Sequence, residues 1–313
     1  MELHVSNFGA TILSLKVPNK QKGLTEVVLG LSSPLDYLKN DYLEQNQCLG
    51  SSIGRFAGRI SDNGFKIDGT SFELSKRNGQ HLHGGFNGFD KRYWNFEDVE
   101  RNENPSITLT YFSKHLEEGY PGNLSVSVTY QLTQSNELMI TYEAQTDQAT
   151  HVNLTNHAYF NLNGNGTIGN HELQIQSDKY LEIDATAMPT GEIVSSKDTV
   201  YDRAIQSPIG ATGFSGFDNA FILNTEKSCA TLYSEDTGIQ MVISTNQPAL
   251  VVYTPKTLKN LSFKEGIGYD DFPAICFEAQ NFPDAPNHIE FPSSLLLQDE
   301  VYVNRTTFEF SLK

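Results

Sequence analysis

Two segments of this 313-residue chain hold the side chains best suited to chemistry. One runs Asn153-Leu154-Thr155-Asn156-His157-Ala158-Tyr159-Phe160-Asn161-Leu162. The other, about 120 positions later, runs Phe277-Glu278-Ala279-Gln280-Asn281-Phe282-Pro283-Asp284-Ala285-Pro286-Asn287. Histidine donates a proton near neutral pH and glutamate accepts one. If the fold brings His157 and Glu278 together across a small ligand, they form an acid–base pair. Residues two apart on a strand share a face, so Gln280 is expected to look into the same space as Glu278.

Four further segments carry polar groups in unusual company. Gly54-Arg55-Phe56-Ala57-Gly58-Arg59-Ile60 sets two arginines four apart, and Gln80-His81-Leu82-His83-Gly84-Gly85 sets two histidines before a glycine pair. Asp218 lies between aromatics in Gly216–Phe221, and Gln247 precedes Pro248. Each also has an ordinary reading. Arg55 reads as a surface ion-pair partner, and Arg59 fits that role or a binding one. His157 alone reads as a satisfied structural histidine, and Asp218 as a turn former. His81 and His83 would share a strand face and suit a metal ion, yet no third ligand stands at a recognisable spacing. No metal is therefore expected. The chain has no GxSxG elbow, P-loop, GxGxxG, CxxC or HExxH, which removes support for nucleotide, flavin and zinc-protease chemistry.

The elements that must position these groups are strands. Leu124, Val126, Val128 and Tyr130 alternate with Ser125, Ser127 and Thr129. Leu138, Ile140 and Tyr142 alternate with Met139, Thr141 and Glu143; Leu173 and Ile175, then Phe308 and Phe310, repeat the pattern. Ala249–Tyr253 reads as a strand buried on both faces. Asn63-Gly64, Asp68-Gly69, Asn78-Gly79, Asn87-Gly88, Asn163-Gly164 and Thr237-Gly238 punctuate the runs with tight-turn signals. The best helical candidate is a short one at Ser33–Leu38. Many short strands and almost no helix predict an all-β fold, a large antiparallel sandwich or barrel. No linker or internal repeat divides the chain, so residues 1–313 are expected to form one domain.

Composition narrows the partners. Thirty-eight acidic residues against 22 basic ones give a formal charge of −16. Such a chain repels phosphate backbones and anionic bilayers, so neither nucleic acid nor membrane is expected. No apolar run approaches the ~18 residues of a membrane span. The N-terminus lacks the basic and apolar regions of a signal peptide, which predicts a cytoplasmic protein. Cys48, Cys229 and Cys276 are too scattered for a disulfide framework or zinc site.

Taken together and in order, the segments resemble the aldose 1-epimerase (galactose mutarotase) family. The resemblance begins at Asn7-Phe8-Gly9-Ala10-Thr11-Ile12, Val17-Pro18 and Val28-Leu29-Gly30. It continues through Gly54–Ile60, Leu82-His83-Gly84-Gly85, Asn153–Leu162, Phe217-Asp218, Thr245–Pro248 and Glu278–Asn287. Leu-His-Gly-Gly, Asn-His-x-Tyr-Phe-Asn-Leu and Glu-x-Gln-x-x-Pro-Asp-Ala are specific as a set. The resemblance implies a large antiparallel β-sandwich with an open sugar cleft, acting without a cofactor on the α and β anomers of free aldohexoses such as galactose and glucose.

By position, the resemblance implies that Glu278 is the general base and His157 the general acid. It implies that His83 hydrogen-bonds near the ring oxygen, that Arg59 and Asp218 hold sugar hydroxyls, and that Gln247 lines the cleft. Many family members have Asn where this chain has Gly58, which removes one hydroxyl contact. Nearby cations are expected to keep Glu278 ionised, and acidic partners to keep His157 protonated. Rival readings are a mutarotase for a sugar phosphate or disaccharide, and a non-catalytic carbohydrate-binding sandwich using its aromatic residues as platforms. Either a monomer or a homodimer fits, because the edges of a long sandwich are capped by loops or by a second subunit.

Overall fold

Period-two alternation builds most of the molecule, seen here in a computed structural model that describes residues 1–210, 213–264 and 267–313. In the strand Leu124–Leu132, Leu124, Val126, Val128 and Tyr130 are buried while Ser125 is exposed. Its neighbour Glu137–Thr146 buries Leu138, Ile140, Tyr142, Ala144 and Thr146. The two pair antiparallel, with Val128 opposite Tyr142 and Tyr130 opposite Ile140. The apolar sets therefore fall on one face, as the pleat requires.

These strands lie inside a nine-stranded sheet. Its order is Ser207–Pro208, Glu172–Ile175, Ala230–Tyr233, Ile239–Thr245, Tyr302–Leu312, Glu137–Thr146, Leu124–Leu132, Ser106–Ser113 and Asn95–Glu100. A second sheet of six strands runs Tyr159–Phe160, Ile275–Gln280, Ala249–Tyr253, Asp218–Ile222, Lys179–Ile183 and Pro189–Ser195. The main core lies between them. Leu124, Ile140, Ile243 and Phe308 of the first sheet share one cluster with Phe160, Phe221, Leu250 and Phe277 of the second. The fold is thus an all-β antiparallel sandwich, as the sequence predicts.

The second sheet is the one that matters for function. Ile275, Phe277 and Ala279 point into the core, which leaves Cys276, Glu278 and Gln280 on the opposite face. All six residues of that strand are buried, so chain also covers its far side. Ala249, Leu250 and Val252 of the adjacent strand are buried as expected, but Val251 and Tyr253 are only half-buried because they face a cavity.

Local signals are mostly obeyed. Pro34–Leu38 is a short 3₁₀ helix with Ser33 as its cap and Asp36 closing the capping box. A helix at Asn40–Gln45 follows, which no sequence signal announced. Asp68-Gly69 joins Gly64–Ile67 to Thr70–Glu73 with φ of +48° and +78°, the double positive φ of a type I′ hairpin. Among the described residues, no helix is long and apolar enough to cross a membrane.

Candidate active site

Glu278 reaches the cleft because its strand is core-facing at odd positions and cleft-facing at even ones. The register puts Val251 opposite Glu278, and Ala220 opposite Val251. One pleat along, Tyr253 stands opposite Asp218. His157 arrives from the other side of the Glu278 strand, two residues before Tyr159, which pairs with Cys276. Two backbone bonds clamp it: the Gly50 amide donates to His157 O at 2.9 Å, and His157 N donates to Ser51 O at 2.9 Å. Its ring stacks on Tyr159, with centroids 5.1 Å apart. The result sets His157 Nε2 3.6 Å from Glu278 Oε1, with both side chains almost wholly buried.

The surrounding motif residues hold this arrangement. Asn153 donates to Ala57 O and Asn281 O, each at 3.1 Å, and accepts from Asn281 N at 2.8 Å. It ties the arginine segment to the end of the Glu278 strand. Asn304 does similar work from the larger sheet, donating to Leu154 O and Ala279 O. Asp284, fully buried, accepts from Ser61 N and Asn287 Nδ2, while its own amide donates to Arg59 O at 2.8 Å. These bonds fix the backbone of Arg59, whose Nε approaches Gln80 Oε1 at 3.5 Å.

His83 shows why spacing alone misleads. The strand His81–Leu82 ends before it, and His83 adopts φ of +52°. The two histidines therefore part company instead of sharing a face. His81 turns inward, its Nδ1 2.7 Å from Ser75 O and its Nε2 2.6 Å from the Tyr120 hydroxyl. His83 turns to the cleft and meets His157 edge-on at 5.3 Å between centroids. The Gly58 amide donates to His83 Nδ1 at 3.3 Å, and Gly58 itself has φ of +85°. A Cβ there would lie 2.9 Å from Pro283 Cβ, so in this backbone a side chain is excluded rather than merely missing.

Together these groups line a cavity of about 370 Å³. Arg59, His83, His157, Asp218, Glu278 and Gln280 supply its polar side, with Gln45, Asn46 and Gln47 at the rim. Leu181, Ile183, Ala187, Pro189, Ala220 and Val251 supply an apolar side. Gln247 is not among the lining residues. Its Nε2 donates to Asn246 Oδ1 at 3.0 Å and approaches Val303 O at 3.4 Å, in a separate groove of about 660 Å³. That groove is larger but brings together no comparable set of proton-exchanging groups. Arg55 also departs from expectation. It is 2% exposed and makes no ion pair among the described residues; its guanidinium donates to Pro121 O, Gly122 O, Ser113 O and Lys114 O.

Burial sets the protonation of the pair, and it reverses the expectation from charge alone. Removal from water pushes the Glu278 carboxyl up to about 8; Asp218 adds to the rise and Arg59 only partly offsets it. The same desolvation brings His157 down to about 4. His83 is held well below its usual range by burial and by the neighbouring His157 and Arg59. Asp218 is raised by the surrounding cavity walls although solvent reaches it through the mouth, with Arg59 opposing. One arginine does not repay the cost of burying a carboxylate, so neutral Glu278 and neutral His157 are favoured.

His83, His157 and Glu278 place ligand atoms within 4.8 Å of one another, a spacing that suits a metal ion. The hydrogen-bonding does not. Because His83 Nδ1 accepts from Gly58 N–H, the neutral ring carries its hydrogen on Nε2. A metal-binding histidine normally donates from the nitrogen away from the metal. His83 therefore offers the cleft an N–H donor, not a lone pair. His157 Nδ1, Glu278 Oε2 and Gln280 Oε1 are buried with no partner among the described residues.

A buried histidine–glutamate pair, an N–H donor, an arginine and a second carboxylate thus share one cavity. The family model for aldose 1-epimerase matches residues 1–309. The chain belongs to the aldose 1-epimerase family. The human galactose mutarotase is 37% identical over 323 aligned positions, which cover 100% of this chain and 92% of that one. The aldose 1-epimerase of Escherichia coli K12 is 35% identical, covering 99% and 92%. Among solved structures, an aldose epimerase homologue from C. elegans superposes with a TM-score of 0.90 at 29% identity, covering 99% of this chain and 95% of that one. A galactose 1-epimerase from Lactobacillus acidophilus gives 0.85 at 30%, covering 99% and 91%.

For an aldose 1-epimerase chain read from sequence, several lining residues had no signal. Tyr159 and Tyr253 frame His157, with ring centroids 5.1 and 6.1 Å away, yet read as ordinary core aromatics. Val251 gave none because it belongs to a run that looks buried on both faces. Gln45–Gln47 lie at and just beyond the end of a helix the sequence did not announce.

Proposed function

We propose that this chain is an aldose 1-epimerase that interconverts the α and β anomers of free aldohexoses such as galactose and glucose, with Glu278 and His157 as its acid–base pair. The observation that carries the reading is their approach to 3.6 Å inside a cavity also lined by Arg59, His83 and Asp218. The cleft draws on segments from Gln45 to Pro283, so we take residues 1–313 as one functional unit. The free, buried thiols Cys48, Cys229 and Cys276 fit a cytoplasmic setting.

A hemiacetal opens when O1 loses its proton while O5 gains one. In this proposal Glu278 accepts the O1 proton as His157 delivers one to O5. The pair holds one exchangeable proton throughout. The charged arrangement, carboxylate with imidazolium, becomes the neutral arrangement as the ring opens. Burial favours the neutral arrangement, so the charged one, formed when Glu278 passes its proton to His157, costs free energy that ring opening returns. Rotation about C1–C2 presents the other carbonyl face, and reversal of the proton transfers closes the ring as the other anomer. His83 Nε2–H is a pre-aimed donor for charge at O5. Arg59 and Asp218 hold the ring hydroxyls so that the open chain turns without leaving.

A phosphorylated substrate fits poorly. Arg59 is the single Arg or Lys among the described lining residues, and it shares the cavity with two carboxylates. The test is polarimetry on freshly dissolved α-D-galactose. Approach to the equilibrium rotation faster than the buffer control supports the reading; a rate equal to buffer, with sugar bound, reduces the protein to a binding module.

A further inference from the structure

Arg59 lines the cavity, and among the described residues its guanidinium has one hydrogen-bond partner: Nε donates to Gln80 Oε1 at 3.5 Å. The contact is long, as hydrogen bonds in unliganded sites often are. It engages the one inner N–H of the group and leaves the four outer ones for hydroxyls. Asp218 and Glu278 feel the charge of Arg59 without hydrogen-bonding to it. The bond from Asp284 N fixes the Arg59 backbone but not the long side chain beyond it.

A group that aims another must itself be held. Gln80 closes a tight turn: Arg77 N donates to Gln80 O at 2.9 Å and Gln80 N to Arg77 O at 3.1 Å, across Asn78 and Gly79 at φ of +52° and +83°. Both ends of this turn reach the rim of the cavity. Arg77 donates to Asn46 Oδ1 at 3.2 Å and to Glu44 O at 3.1 Å. Gln80 Nε2 donates to Thr186 O at 3.3 Å, in the loop between Lys179–Ile183 and Pro189–Ser195. Asp184 holds that loop in turn, accepting from the Thr186 and Met188 amides. The donation to Thr186 also settles which end of the Gln80 amide is which. With Nε2 on a carbonyl, Oε1 is the end that meets Arg59.

We propose that Gln80 is a positioning residue for substrate binding: it holds the Arg59 guanidinium, before sugar arrives, in the orientation that meets the hydroxyls. This rests on the epimerase reading above for the identity of the ligand. An arginine left free in the empty site must be immobilised by the sugar itself, which lowers affinity about two- to tenfold.

The experiment is a double-mutant cycle on anomer exchange of D-galactose. Gln80→Leu removes the amide and keeps the bulk. It is expected to raise KM about two- to tenfold and leave kcat within about twofold, the mark of binding lost equally in ground and transition states. Gln80→Glu keeps an oxygen for Arg59 Nε and gives up the Thr186 bond, so its KM should return to within about twofold of wild type. In an Arg59→Lys background, which lacks that N–H, Gln80→Leu should cost less than about twofold. A wild-type KM in Gln80→Leu overturns the proposal. So does a KM in Gln80→Glu as high as in Gln80→Leu, because the Thr186 bond and not Arg59 would then matter. A penalty of the same size in the Arg59→Lys background also overturns it, since Gln80 would then act on the fold alone. Galactose Kd by calorimetry follows the same cycle without turnover. A wild type that binds galactose but does not exchange its anomers refutes the epimerase reading, and calorimetry then decides the Gln80–Arg59 coupling; a wild type that does neither overturns both.

Discussion

Replacing Glu278 by Gln should stabilise the protein increasingly as pH rises above 4.5, with the full effect reached above about pH 8. The carboxyl ordinarily titrates at 4.5 and is pushed up to about 8 in the folded chain. Below pH 4.5 it is protonated in both the folded and the unfolded state, and burial costs nothing beyond that of a neutral acid. Between 4.5 and about 8 the unfolded chain gives up the proton and the folded chain keeps it. Stability therefore falls as pH rises through this window and levels off above it. At about 1.4 kcal/mol per pH unit, the whole window amounts to about 5 kcal/mol. Gln has nearly the same shape and never ionises, so the variant escapes the loss. Urea unfolding of both proteins at pH 4.5 and pH 9, followed by circular dichroism, gives the comparison. The variant's advantage over wild type should be several kcal/mol larger at pH 9 than at pH 4.5. An advantage independent of pH would refute the claim that burial controls this carboxyl.

The same shifts predict the pH profile of kcat/KM. An unperturbed pair holds one proton only from about 4.3 to 6.5, whereas this pair holds one from about 4 to about 8. Activity should therefore persist to about pH 8, and an alkaline limb near 6.5 in a rate–pH titration would contradict the assignment. Asp218→Asn removes a negative charge that raises Glu278, so the alkaline limb should move down while KM for galactose rises; a limb that stays put would show that the two carboxylates do not communicate. Gly84→Ala forces a Cβ to 1.8 Å from Gly54 O at a φ of +85°, so it should cost more than about 3 kcal/mol in denaturant unfolding. Full stability in that variant would show that the Gly54–Gly84 contact gives way readily.

The alternation of Leu124–Leu132 and Glu137–Thr146 reports directly on burial, because one face of each strand meets the other sheet. The likeness of Glu278 and Gln280 in facing was legible for the same reason. Gln247 was not. It lies just outside the strand that begins at Ala249, and its side chain turns to Asn246 Oδ1 and the carbonyl of Val303, 56 residues away. Periodicity says nothing about such a partner. His81 and His83 look like a same-face pair until a positive φ, invisible in their spacing, turns one of them around. Arg55 reads as a surface residue because its partners are mostly backbone carbonyls from Ser113 to Gly122, with the Ser113 hydroxyl, and carbonyls leave no mark in composition. Protonation was misjudged because charge is counted along a sequence, whereas the desolvation that overrides it is a property of the closed cavity.

The central claim is that Glu278 and His157 exchange anomers by moving protons. At equilibrium, magnetisation transfer between the α and β H1 signals of D-galactose reads that exchange without any net reaction. Wild type should produce strong transfer, while Glu278→Gln and His157→Asn should bind galactose by calorimetry and produce none above the uncatalysed background. Transfer at the wild-type rate in either variant would contradict the account.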